Sequence, residues 1–358
     1  MTIFDLLQSD AIAAYWTTAV SNITPALGQV LFPPKKKVGL TLEWLKGHKG
    51  LPIALMPSAF DAKPTVRSRE QIETKKIKMP FFRESMRIGE EERQKILEYL
   101  NTPNNPYAQD VINRIYDDAA ALIDGANVQP ERMIMSLITT GTITIATPSA
   151  SGIDVRFTYN YDPDGSWNAN NVEQLTGTSQ WSDTVNSTPV QDIIDIRRTM
   201  MKLYGVDIRR AVLSTQTFSY LLLNQKLKLD INPSYGLNVI LTDDDLRAYL
   251  LRKTGVDFVV YDKQYKDEAG VAQSYFPDDV VSFMPAETLG NTWYGTTPEE
   301  VDVMAGISDT TVSVVNTGVA VASKKEDVPV NLLTIVSQIV LPSFERMGDV
   351  YVLKVKEA

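Results

Sequence analysis

Residues 106–140 read PYAQDVINRIYDDAAALIDGANVQPERMIMSLITT, and the rest of the chain is organised around them. Val111, Ile115, Ala119, Leu122 and Ile123 recur three or four positions apart, while Asp110, Asn113, Arg114, Asp117, Asp118 and Asp124 fill the other faces. That is the pattern of a helix buried along one side. Pro106 suits a first-turn position, Gly125 and Asn127 weaken the middle, and Pro130 marks where a second segment, Glu131 to Ile138, restarts after a kink. The spacing predicts one long kinked helix, a spine. No catalytic motif touches it, which suits a building block better than an enzyme.

Ahead of the spine, Gly89 to Leu100 opens on Glu90, Glu91 and Glu92 and continues through Ile96, Leu97 and Leu100, a helix with its acids where the dipole favours them. Further back, residues 33–88 hold thirteen Lys and Arg against five Asp and Glu, a net of +8 that leaves −17 on the remainder of a chain whose total is −9. Pro52, Pro57, Pro64 and Pro80 forbid long helices there, and Leu51 to Met56 with Thr74 to Met79 read as two strands of an extended hairpin. A long excursion of this kind is expected to make few contacts with its own body. Its charge predicts that it lies over the acidic body of another copy, with Arg67, Arg69, Lys75, Lys76 and Lys78 as the contacts. At the extreme N-terminus, Ile3, Leu6, Leu7, Ala11, Ala14 and Tyr15 fall at helical spacing. This is either an arm that needs a partner or a helix packed on its own domain.

Beyond the spine, Thr142 to Ala146 and Ile153 to Tyr159 alternate like a hairpin. Thr188 and Pro189 open a helix that Gly205 closes, and Ser214 or Thr215 caps a second. Thr242 caps a third, Asp243 to Lys253, ended by Gly255. Strands are expected at Ile208 to Leu213, Val239 to Leu241, Phe258 to Tyr261 and Val280 to Phe283, and again at Thr311 to Val315, Leu333 to Leu341 and Val350 to Val355. Leu333 to Leu341 is too apolar to stand alone, so these last strands are expected to return and pair with the hairpin after the spine.

The 358 residues exceed what one core usually serves, and 44% hydrophobic content is ample for folding. With no cysteine, disulfides, thiolate zinc sites and cysteine nucleophiles are excluded, as fits an intracellular protein. The single histidine, His48, sits in a Lys- and Gly-rich turn and is read as a surface residue. Asp162, Asp164 and Gly165 are reminiscent of a calcium loop, but Asn171 stands where the bidentate Glu belongs, so a plain turn is expected. Asp243, Asp244 and Asp245 are explained by a helix N-terminus. No secretory signal is read, and the long uncharged stretches 11–34 and 133–153 carry too much Pro, Thr, Ser and Asn to span a bilayer. A soluble chain with no cofactor or metal follows. No phosphate loop, nucleophile elbow or zincin helix occurs.

A resemblance enters at Val259, Val260, Tyr261, Gln264 and Tyr265. The run VVYDKQY, then Gly270-Val271, then Tyr275-Phe276-Pro277-Asp278, resembles the late segment of the major capsid proteins of tailed bacteriophages, the lambda gene E type. Arg67-Ser68-Arg69, following Val66, resembles the Arg-Ser-Arg of that family's extended loop. The order of elements agrees over nearly the whole chain. The resemblance implies an α+β chain with the Hong Kong 97-type capsid fold. It would comprise an N-terminal arm (residues 1–37), an extended β-hairpin loop (38–88), a peripheral domain with the spine (89–186 and 316–358) and an axial domain (187–315). It implies a non-enzymatic head protein that self-assembles through pentamers and hexamers into the icosahedral shell around phage DNA. Implied partners are a separate scaffolding protein, a portal and, as an optional addition, a cement protein. The place would be the virion, after assembly in the bacterial host cytoplasm. The rivals are an encapsulin-type compartment shell, a carboxylate-based α+β enzyme and a nucleic-acid-binding module using the basic loop.

Overall fold

The structure is a computed structural model that describes residues 8–20, 26–46, 73–101, 108–147, 155–234, 240–306, 311–327 and 330–357. The chain divides into two compact units, one of Met1–Glu43, Lys76–Met133 and Asn291–Ser343, the other of Trp44–Lys75, Ile134–Gly290 and Phe344–Ala358. The spine is a single helix, Ala108–Thr140, with Pro130 inside it and no second start.

The first unit is built on a six-stranded sheet of β1 (Pro34–Lys36), β4 (Phe81–Ile88), β13 (Asn291–Tyr294), β14 (Thr311–Val315), β15 (Val319–Asp327) and β16 (Val330–Ser343). At fourteen residues β16 is the hub. One edge pairs with β15 from Val330 to Gln338; the other pairs first with β4, up to Ile339, and then with β13 from Val340 to Ser343. An apolar run bounded on both edges and covered on its faces is what a central strand needs. Ile12 and Trp16 of the N-terminal helix Ser9–Val20 join Ala119, Leu122 and Ile123 of the spine and Val315, Val319, Val321 and Val336 of the sheet in one core cluster. Tyr15 donates its hydroxyl to Asp117 at 2.6 Å, and Trp16 donates its indole N–H to Asp124 at 2.8 Å. Ile3, Leu6 and Leu7 lie outside the described residues; the described part of this segment, Ser9–Val20, is a helix packed on its own domain. Burying Ile12 and Trp16 stabilises that seat by about 1.5–3 kcal/mol per side chain.

The second unit centres on a five-stranded sheet in the order β7 (Val172–Gln174), β17 (Tyr351–Lys354), β12 (Val280–Met284), β8 (Arg210–Leu213), β9 (Asp257–Val260). Helices Pro189–Tyr204, Thr215–Leu223 and Asp243–Thr254 contribute Ile193, Ile196, Met200, Phe218, Leu246 and Leu250 to its core. Their ends follow local chemistry: Ser214 and Thr242 accept capping bonds from Thr217 and Asp245, and Gly205 and Gly255 stop their helices in the left-handed conformation.

Strand pairing corrects one expectation. β5 (Thr142–Thr147) and β6 (Val155–Asn160) form their own two-stranded hairpin, and neither β16 nor β17 joins it. Asn291–Tyr294 and Thr311–Val315 pair in the six-stranded sheet, while Tyr351–Lys354 pairs in the five-stranded one. Of the strand expected at Val239 to Leu241, residue 239 lies outside the described residues and 240–241 form no strand.

Gly141 ends the spine at φ +68, and a Cβ there would meet Met347 Cε at 2.6 Å and Trp167 Cζ3 at 3.0 Å; Gly165, at φ +70, has open space. Gly141→Ala is therefore expected to destabilise the unassembled chain by roughly 2–5 kcal/mol. Gly165→Ala should cost only about 1–2 kcal/mol. Paired denaturant titrations check the difference, and equal losses would show that the Met347–Trp167 contact yields freely.

Candidate assembly surface

The basic segment is tied down at both ends, contrary to the expectation of few contacts with its own body. β1 runs parallel to β13, and β4 pairs with β16 over its whole length. Lys36 donates to Glu300 at 2.7 Å, where the carboxylate is only 6% exposed, and Arg83 lies 2.5 Å from Glu299. Glu299 and Glu300 sit on the helix Pro298–Met304, fixed by a capping box between Thr297 and Glu300. These cations read as free in the sequence because their acids lie more than two hundred positions away.

Between those anchored strands lie residues 41–78, which begin and end in a two-stranded pairing of β2 (Thr41–Lys46) with β3 (Glu73–Lys78). The expected strand Thr74 to Met79 is thus present, and its described partner is Thr41–Lys46; Leu51 to Met56 lies outside the described residues. Met79 N donates to Leu40 O at 2.9 Å and closes the base. Leu42 is buried, and Trp44, 6% exposed, stacks on Tyr161 with ring centroids 5.4 Å apart. Burial holds the Tyr161 hydroxyl well above its ordinary range, so this platform stays neutral.

Of the five proposed contact cations, Arg67 and Arg69 lie outside the described residues, as does the side chain of Lys75, whose backbone is in β3. Lys78 is exposed on the same strand. Lys76 meets Glu43 across the hairpin at 2.7 Å. Their hydrogen bond lowers the Glu43 carboxyl and raises the Lys76 ammonium, but both are solvent-exposed, so the pair contributes little to stability.

The residues that carried the resemblance gather in the second unit. Val259 and Val260 are half-buried in β9 and Tyr261 is buried; Gln264 and Tyr265 begin the hairpin of β10 (Gln264–Lys266) and β11 (Ala272–Ser274). Tyr275 bridges Tyr265 and Tyr261, with ring centroids 4.7 and 6.3 Å apart. Pro277 and Asp278 are exposed. Two acids the motif reading passed over do the joining. Asp262 accepts from Thr215 N at 2.9 Å, at the start of the helix Thr215–Leu223. Asp279, at φ +61, accepts from Tyr220 Oη at 2.9 Å, and its own N–H donates to Thr217 at 2.9 Å. Its carbonyl accepts from Val355 N at 2.8 Å. The run therefore stitches a helix, a hairpin and the C-terminal strand together; it presents no reactive group. Asp162 likewise spends both carboxylate oxygens on Trp167 N and Asn168 N, at 3.0 and 2.9 Å, at the start of a short helix, Ser166–Asn171, where the sequence reading expected a plain turn.

Thus the chain combines a long spine, a sheet wrapped on it, a rooted basic hairpin and a separate mixed sheet. The family model described as phage major capsid protein E matches residues 8–355. The chain belongs to that family. Among solved structures it is similar to the putative capsid protein of a prophage of E. coli CFT073, with 14% identity, TM-score 0.59, and coverage of 98% of this chain and 99% of that one. It is also similar to a phage-related protein from Bordetella bronchiseptica RB50, with 14% identity, TM-score 0.54, and coverage of 96% and 98%. No curated protein matches it. The fold is the Hong Kong 97-type capsid fold. This capsid protein forms the icosahedral shell of a phage head from copies of itself and resides in the virion. The family does not favour a compartment shell or a carboxylate enzyme.

Trp44→Ala removes the stacked anchor, worth about 3–5 kcal/mol if the site cannot collapse. Limited proteolysis is expected to cut within residues 41–78 at least about tenfold faster while the body survives. Unchanged cutting would mean that the root is held without Trp44.

Proposed function

We propose that the hairpin of residues 41–78 is the strap by which each copy of this capsid protein fastens to a neighbour in the shell. The observation that carries the reading is its rooting: Trp44 on Tyr161 and the Met79–Leu40 bond fix the base, and the sequence between the two strands carries the cations Lys49, Lys63, Arg67 and Arg69. Arg67 and Arg69 are the proposed principal contacts, because guanidinium grips a carboxylate through two parallel hydrogen bonds. Lys75 and Lys78 assist, and Lys76 serves the hairpin itself through Glu43. The partner acids belong to an adjacent copy, on the spine or the helix Glu90–Asn101.

In this proposal the unit with the six-stranded sheet is the peripheral domain and the unit with the five-stranded sheet the axial domain. The chain performs no catalysis, which accords with carboxylates such as Asp162, Asp262 and Asp279 being spent on backbone and side-chain bonds of the fold. A separate scaffolding protein, a portal and, as an optional addition, a cement protein complete the proposed partners, with assembly in the host cytoplasm.

The Arg67→Ala, Arg69→Ala double variant is expected to fold normally and to yield few particles by sedimentation at physiological salt. Wild-type yield at both low and physiological salt would leave these arginines with no special role.

A further inference from the structure

The spine contains a proline at a place where a helix needs a donor. The residue at position 130 of an unbroken helix would give its N–H to the carbonyl of Ala126, four positions earlier, and proline has none to give. Across the first unit, Gln338 of β16 places its side-chain Nε2 2.6 Å from that carbonyl. Gln338 is itself 1% exposed. A side-chain amide from the sheet thus stands in for the missing backbone N–H.

The next residue carries a second attachment. Glu131, 4% exposed, accepts the N–H of Gly28 with both carboxylate oxygens, at 3.0 and 3.1 Å. Gly28 belongs to the short helix Leu27–Leu31, whose residues Gly28 and Leu31 are buried and which leads through buried Phe32 into β1. Just before the proline, Asn127 accepts from Asn316 Nδ2 at 2.9 Å, at the turn between β14 and β15. Between Ala126 and Glu131 of the spine, then, the sheet, a hairpin turn and the N-terminal segment all attach through polar side chains. The arrangement is not fully satisfied: Gln129 Oε1 and Gln338 Oε1 are buried without a hydrogen-bond partner. Native interiors keep few such atoms, and an apolar side chain in place of Gln338 would avoid one of them.

We propose that this cluster is a conformational latch. Gln338 completes the spine at Pro130, and the seating of residues 26–32 on Glu131 depends on that completion, so that releasing either bond loosens the other. The latch does not rest on the proposed strap. It makes the continuity of the spine and the seating of the N-terminal segment one equilibrium, a single point at which both can be released together.

Hydrogen exchange on the full-length chain, followed on peptides covering residues 26–32 and 126–134, tests it. Gln338→Leu is expected to speed exchange in both peptides about tenfold, the loss of one well-made buried bond. Adding Pro130→Ala gives position 130 its own N–H, so the double variant is expected to bring peptide 126–134 back toward the wild-type rate. A side chain that acted only by packing would not be rescued in this way. If the double variant exchanges no more slowly than Gln338→Leu alone, the donor role is overturned. If Gln338→Leu loosens 126–134 and leaves 26–32 at the wild-type rate, the coupling is overturned. Glu131→Leu, which removes the acceptor of the Gly28 N–H, approaches from the other side should Gln338→Leu not fold: it is expected to speed both peptides, and an unchanged 126–134 would equally sink the latch.

Discussion

Strand β16 imposes the constraint from which the first unit follows. Its run from Leu332 to Leu341 is buried at almost every position, and a strand with both faces covered must also have both edges paired, since an unpaired backbone group away from water costs as much as a lost hydrogen bond. β15 covers one edge through a hairpin neighbour, which is cheap in chain entropy. The other edge needs two separate pieces of chain, β4 from before the spine and β13 from far beyond it. Recruiting them brings Arg83 and Lys36 beside Glu299 and Glu300, and it fixes both ends of the basic excursion.

That dependence also explains what can be read from the sequence and what cannot. Helices are legible where their ends obey local chemistry: Thr242 with Gly255 bounds one, and Pro189 with Gly205 another. The spine is legible because Val111, Ile115, Ala119, Leu122 and Ile123 keep one periodicity, and the hairpin of β5 and β6 because its strands are neighbours in sequence. Partner choice over long separations is not legible. A period-two pattern says that Leu333 and Ile335 lie in a strand, and nothing in it names Arg87 or Ser85 as the residues opposite. The same blindness made Lys36 look like a free cation, when its carboxylate lies 264 positions on.

The capsid motif shows the converse, a local signal whose physical meaning lies elsewhere. VVYDKQY and YFPD are recognisable as strings, yet the residues that join them to the fold are Asp262 and Asp279, through Thr215, Thr217 and Tyr220. Asp279 adopts a left-handed backbone that costs about 1–2 kcal/mol for a residue other than glycine. The bonds to Thr217, Tyr220 and Val355 offset that cost. Such a residue announces itself only once φ is known, which is why reading the string alone passes over it.

A shell protein must be stable alone and adhesive only among its own kind. Here the cations nearest the body are neutralised in place: Lys36 and Arg83 by the helix Pro298–Met304, and Lys76 by Glu43. Pairing them internally removes the positive charge that would otherwise fold back non-specifically on an acidic body. The proposed attraction for a second copy then falls to Arg67 and Arg69, with Lys75 and Lys78 assisting. Exposed pairs contribute about 0–1 kcal/mol each, and screening acts over about 8 Å at physiological salt. Two copies therefore hold each other weakly, and a misplaced one can leave. In a closed ring every copy both gives and receives the contact, so the same weak term becomes strong only when the geometry closes. Weakness at the single contact is what allows a lattice to correct itself before it is complete.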